Sequence, residues 1–139
     1  TFTFVCGILF KIFGVSVLNI QLASAVLSGV CIFIIYLIGK KINGEKLGLI
    51  AALFYSGFIP SIAYCAVFTS ENFAMPFLLL SLLFVISAYK SAHIGKSAVN
   101  MLISGALLAV GCLFRGVAPF YLSAYIIGAL TVFAKKTKI

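Results

Sequence analysis

The chain has 139 residues, 64% of them hydrophobic and 9% charged, with a mean hydropathy of +1.29. So little polar surface cannot cover a water-soluble domain, which excludes that class and leaves an integral membrane protein with lipid as its solvent. The formal charge is +8, but the lysines are not interleaved with aromatic platforms on one surface, so nucleic acid is excluded as a partner and the lipid bilayer is the partner expected.

Backbone groups in lipid must be satisfied within each span, and the alternation of a membrane barrel is absent, so the apolar runs are predicted to be helices. The fold class is all-α: a polytopic membrane helix bundle of about five transmembrane helices plus an N-terminal interfacial segment. Together they form a single transmembrane domain over residues 1–139. In residues 1–18 the apolar stretch from Thr1 is interrupted by Lys11 and closed by Gly14. It is too short to span and reads as an interfacial or re-entrant segment, or as the tail of a helix. The chain starts inside an apolar stretch with no initiator Met, as a piece of a larger polytopic protein would.

Span one is expected at about residues 19–39. Ser24 with Ser28 and Ala25 with Gly29 form overlapping small-xxx-small pairs, which permit close helix contact. Lys40 to Lys46 reads as a short polar turn in which Glu45 is a solvated charge. Span two, about 47–66, carries Pro60 in its outer third, where a kink is predicted, and Tyr64 near its outer boundary. Ser70 reads as the N-cap of span three, about 71–89, placing Glu71 in a first turn where a carboxylate complements the helix dipole. Lys90 to Lys96 is the next polar joint, with His93 as a solvated loop residue. Span four, about 98–114, holds Gly105, Ala109 and Gly111, a second close-packed face. Arg115 to Pro119 leads into span five, about 117–134, with Tyr121 and Tyr125 in its outer half.

Eight of the nine lysines fall in three clusters at alternate joints: Lys40, Lys41 and Lys46, then Lys90 and Lys96, then Lys135, Lys136 and Lys138. Lys11 alone is off the pattern. Loops on the cytoplasmic side accumulate Lys and Arg, so these joints read as cytoplasmic. Glu71 and Arg115 are then isolated on the far side at one depth, since one starts span three and the other ends span four. Glu71 serves either as a solvated helix cap or as a polar anchor at a site between spans. Arg115 serves either as a snorkelling interface residue or, through its forked and permanent charge, as a ligand for phosphate or carboxylate; the positive-inside trend favours the second. An ion pair between the two would join two helix ends without catalysis.

Cys6, Cys31, Cys65 and Cys112 show no metal or redox spacing and read as buried thiols. Cys65 and Cys112 both fall near outer span ends, which leaves a disulfide between them open. No Ser/His/Asp set, paired carboxylates, phosphate loop or metal-ligand cluster is present in the sequence, so no residue is assigned to catalysis or to a metal.

The order of these features resembles the polytopic glycosyltransferases of the GT-C superfamily, in particular the bacterial protein-mannosyltransferase and aminoarabinose-transferase-like members. The matching stretches are Phe10-Lys-Ile-Phe-Gly14, Tyr36-Leu-Ile-Gly-Lys-Lys-Ile-Asn-Gly44, Ala51-Ala-Leu-Phe with Pro60, Ser70-Glu71, and Gly105-Ala-Leu-Leu-Ala-Val-Gly-Cys-Leu-Phe-Arg115. The resemblance implies a multi-pass protein of a bacterial cytoplasmic membrane. It further implies transfer of a sugar from a lipid-linked, polyprenyl-phosphate donor to an acceptor on the outer face. In such enzymes the general base is an acidic residue of the first outer loop, sometimes beside a divalent metal. That loop would lie upstream of Thr1, so this segment is expected to be inactive alone. By position Glu71 matches the family's Ser-Glu acid and Arg115 the arginine closing its Gly-rich helix, with substrate-binding roles in shaping the donor pocket and countering the lipid phosphate. The family pattern places Pro directly after that arginine, where this chain has Gly116. Two rival readings are a transporter or flippase core, moving around Glu71, and a non-catalytic membrane assembly subunit.

Overall fold

A computed structural model describes residues 16–66, 69–114 and 118–137, with positions 3, 7, 8, 10, 11 and 14 before them. Its helices are α1 (Val17–Asn43), α2 (Glu45–Ser56), α3 (Ile59–Ala66), α4 (Ser70–Lys90), α5 (Ile94–Phe114) and α6 (Ala118–Thr137). Among the described residues there is no strand. α1, α4 and α5 are long and apolar enough to cross a membrane; with 21 residues each, α4 and α5 measure about 31 Å, the thickness of a hydrocarbon core. Half of the N-terminal segment, residues 1–18, lies outside the described residues. Where it is described, Thr3, Gly7, Ile8, Phe10 and Lys11 are helical. Gly14 stops the turn with φ 78°, its N–H donating to Phe10 O.

The packing is inverted relative to a water-soluble domain. Among the described residues Ser24, Ser97 and Ser104 are the largest fully buried side chains, while Leu18, Leu22, Val26, Val30 and Phe33 point outward from α1. In lipid, large apolar side chains lose nothing by facing out, and small residues let backbones approach.

The polar turn predicted over Lys40 to Lys46 contracts to one residue, Gly44, at φ 91°. α1 runs on through Lys41, whose charge suits a helix C-terminus, and α2 begins at once with Glu45, whose charge suits an N-terminus. Lys40 Nζ closes the corner on Glu45 Oε1 at 2.5 Å. The exposed Glu45 carboxyl is held below its ordinary value by that hydrogen bond and by the charge of Lys40. Below the corner the two helices touch backbone to backbone. A methyl group on Gly39 would sit 2.7 Å from Gly48 Cα, and one on Gly48 would sit 2.6 Å from Tyr36 O.

The kink predicted at Pro60 is a complete break. A proline ring collides with the carbonyl four residues back and cannot donate to it. Four residues back is Ser56, the last residue of α2. Gly57 and Phe58 fold over as a turn on Leu53 O and Tyr55 O, and α3 restarts with Pro60 in its first turn, where the missing N–H has no intrahelical role.

α4 and α5 form an antiparallel pair with a regular seam. Ala74, Leu78, Ser81, Val85 and Ala88 on α4 face Ser97, Met101, Ser104, Leu108 and Gly111 on α5, both sets spaced by four and three residues, the spacing of left-handed helix pairing. Ser104 Oγ donates to Ser81 O at 2.8 Å and lies 2.9 Å from Ser81 Oγ, and Ser97 Oγ donates to Ala88 O at 2.8 Å. The face predicted from Gly105, Ala109 and Gly111 divides. Gly111 meets Leu78 of α4, Gly105 meets Tyr125 of α6, and Ala109 is exposed. These positions fall on different sides of a helix with 3.6 residues per turn. Likewise Ser24 packs inward, while Ala25 and Gly29 are exposed.

α1 and α4 run in the same direction and are tied at their C-terminal ends. Lys41 Nζ donates to Ser87 Oγ at 2.6 Å, and Lys90 Nζ donates to Ile42 O at 2.9 Å and to Lys41 O. Lys90 thereby satisfies carbonyls that α1 leaves without helical partners. α6 lies against both helices of the pair: Tyr125 Oη donates to Met101 O at 2.6 Å, and Ala129 packs near Ala88. The first two lysine clusters therefore share one end of the bundle. Lys135 and Lys136 close α6, whose C-terminal half runs toward that end; their side chains and Lys138 lie outside those described.

Candidate functional site at the end opposite the lysines

Glu71 lies in the first turn of the helix that Lys90 ends, about 28 Å away at ~1.5 Å per residue, so it lies almost a full hydrocarbon thickness from the lysines. The N-cap of α4 is Thr69, extended at φ −120° and ψ 151°, rather than the predicted Ser70, which is already helical. The one-residue shift keeps Glu71 in the first turn, at the positive end of the dipole. Thr69 makes no side-chain cap, and its Oγ1 is buried without a hydrogen-bond partner among the described residues.

Glu71 is half-buried in the wall of a cavity of about 140 Å³. Three elements enclose it: Ser28 and Cys31 from α1, Tyr55, Phe58 and Pro60 from the α2–α3 break, and Glu71, Asn72 and Met75 from α4. The break is what opens it, since an unbroken α2 would carry its side chains straight past this level. A second proline acts here. Pro76 has no N–H to donate to Asn72 O, so the first turn of α4 forgoes a helical hydrogen bond beside the cavity. The volume is well under the roughly 300–1,000 Å³ of a whole small-molecule site.

The other predicted residue, Arg115, lies outside the described residues. The residue before it is described: Phe114 stacks on Phe77 at 5.8 Å and 8°, and on Phe73 at 6.3 Å. The C-terminus of α5 is thus held within a turn or two of Glu71, at the same end of the bundle. The side chains of Tyr64 and Cys65 also lie outside those described; Cys112 carries a free thiol and Cys31 is buried against the cavity.

Among the described residues no group of three or more His, Cys, Asp or Glu is clustered. Glu71 and the Asn72 amide offer two oxygen-bearing side chains where divalent cations take about six oxygen ligands, so these residues do not by themselves make a metal site. Asn72, Ser28, Tyr55 and Phe58 were not foreseen as site residues. The Glu71-Asn72 doublet was a usable signal, being two adjacent polar residues at the mouth of an apolar run.

An all-α bundle with apolar flanks and polar ends defines a multi-pass membrane protein. Over residues 1–139 the chain matches the family model described as dolichyl-phosphate-mannose-protein mannosyltransferase, and it belongs to that family of GT-C-type membrane glycosyltransferases. Neither the curated proteins nor the solved structures include a match to it.

Proposed function

We propose that this chain is the part of a membrane glycosyltransferase that receives a lipid-linked sugar donor, a polyprenyl phosphate carrying the sugar, for transfer to an acceptor on the outer face. The observation that carries the reading is the cavity walled by Glu71 and Asn72 at the end of the bundle opposite the lysines. Family membership supports the reaction class. In this reading the lysine end faces the cytoplasm, as cytoplasmic loops enriched in Lys do. Glu71 and Asn72 hold hydroxyl groups of the sugar, and Arg115, following Phe114, neutralises the lipid phosphate through its forked guanidinium. The apolar walls from Phe58, Pro60 and Met75 continue toward lipid, where an isoprenoid chain is soluble. Transporters also place broken helices beside ionisable residues, but they do so near the midplane; Glu71 sits at a helix end, which favours an interfacial site.

The test is sugar transfer by the full-length protein in liposomes supplied with a polyprenyl-phosphate sugar. Glu71→Gln and Arg115→Lys should each lower transfer roughly tenfold or more, the worth of a charge-assisted hydrogen bond. Unchanged transfer together with strongly coupled losses of stability would leave Glu71 and Arg115 as a structural pair and overturn the reading.

A further inference from the structure

Five lysines stand at the described joints of one end: Lys40, Lys41, Lys46, Lys90 and Lys96, against a single carboxylate there, Glu45. Three of them are committed within the protein, Lys40 to Glu45, Lys41 to Ser87, and Lys90 to the last carbonyls of α1. Lys46 and Lys96 are exposed and make no hydrogen bond or ion pair among the described residues. Helix stability does not explain them, because each sits in a first turn, where a cation works against the helix dipole.

Residues three, four and seven positions on share a helix face. Below Lys46 that face carries Leu49, Ile50 and Leu53, exposed by 62%, 50% and 73%. Below Lys96 it carries the outward-facing Val99 and Ile103, with the half-buried Asn100 between them. Each uncommitted cation thus heads a stripe that is apolar below Lys46 and mainly apolar below Lys96, and whose exposed side chains no other part of the described chain covers. A soluble anion would satisfy the lysine and leave the stripe bare. A zwitterionic lipid would cover the stripe, but its phosphate is already neutralised by its own ammonium group, so it brings the lysine no net counter-charge.

We propose that this end of the bundle is a docking surface for anionic phospholipids, with Lys46 and Lys96 each meeting a headgroup phosphate while an acyl chain lies along the stripe below. The partner is a membrane lipid with net negative charge, and the surface is independent of the Glu71 cavity at the opposite end.

The experiment is native mass spectrometry of the full chain in a neutral detergent, titrated with phosphatidylglycerol, with phosphatidylcholine of the same acyl chains, and with glycerol phosphate. Phosphatidylglycerol should be retained in preference to both. The Lys46→Gln/Lys96→Gln variant should weaken its retention on the order of thirtyfold, the worth of two lysines at an anionic surface, with phosphatidylcholine unaffected. Should that variant not fold, added salt applied to the unaltered protein serves instead, since it screens exposed charge and should erase the preference. Equal retention of both lipids, an undiminished preference in the variant or at high salt, or glycerol phosphate held as tightly as the lipid would each overturn the proposal.

Discussion

Gly39 and Gly48 show how one methyl group decides a helix crossing. Both occupy the α1–α2 contact, where an added Cβ would stand under 3 Å from backbone atoms that cannot swing aside. Gly48→Ala should therefore destabilise the protein by about 1–3 kcal/mol, the usual cost of overpacking, in unfolding measured in mixed micelles. Gly29→Ala, with nothing within 4 Å of the new methyl group, should leave stability unchanged or slightly raised. At the same corner Glu45 makes a pH-dependent contribution. Its folded pKa lies below the ordinary 4.5, so its contribution is full above that value and is lost as pH falls through the lower folded value. Thermal unfolding between neutral pH and pH 3 should show a small acid destabilisation that Glu45→Gln removes; an identical pH profile in the variant would refute the assignment. None of these contacts shows in composition. A glycine in an apolar run looks the same whether a helix lies against it, as at Gly48, or only lipid, as at Gly29.

Among the elements, the α4–α5 pair is specified by its serines as much as by its apolar residues. Leu, Val and Ala can slide past one another with little penalty in lipid, whereas a hydroxyl in hydrocarbon seeks one particular partner. Ser81 with Ser104, and Ser97 with Ala88 O, fix the antiparallel register at two levels. A double-mutant cycle on Ser81→Ala and Ser104→Ala should return a coupling of about 0.6 kcal/mol, and no more than ~1.7. Zero coupling would mean the Oγ–Oγ contact adds nothing, leaving the register to packing and to the serine hydrogen bonds on Ser81 O and Ala88 O. The three long apolar helices were legible because an apolar run of ~20 residues has few alternatives to a helix. The divided face of Gly105 and Gly111 was not, because a list of small residues does not say which helix each will meet. The break before Pro60 was half legible: proline ruled out a continuous helix, while the turn at Gly57 and Phe58 depends on what Tyr55 and Pro60 pack around.

For the molecule as a whole, charge and packing agree on which joints share a side. Lys90 reaching the end of α1 brings the joints at Gly44 and His93 to one face of the bundle, and Thr69 opens a helix at the other. Single cysteines at Asn43 and His93, in a background lacking the native thiols, should be labelled by a membrane-impermeant maleimide from the same side of sealed vesicles, and one at Ser70 from the opposite side. Labelling of Asn43 and His93 from different sides would break the parallel arrangement of α1 and α4.

The sequence by itself determined the class, the helices and the alternation of lysine-rich joints, because the costs of leaving charge or unpaired backbone in lipid depend on local composition alone. It also placed Glu71 and the end of α5 at one level, since that follows from counting spans. Only the tertiary structure decided that Asn72 and the α2–α3 break join Glu71 around a cavity, that three lysines are consumed in holding helices together, and that Lys46 and Lys96 are left facing outward. Those outcomes depend on which helix faces which. In a bundle whose apolar side chains are equally at home against lipid or protein, that choice rests on a few glycines, serines and prolines acting across distances the sequence does not display.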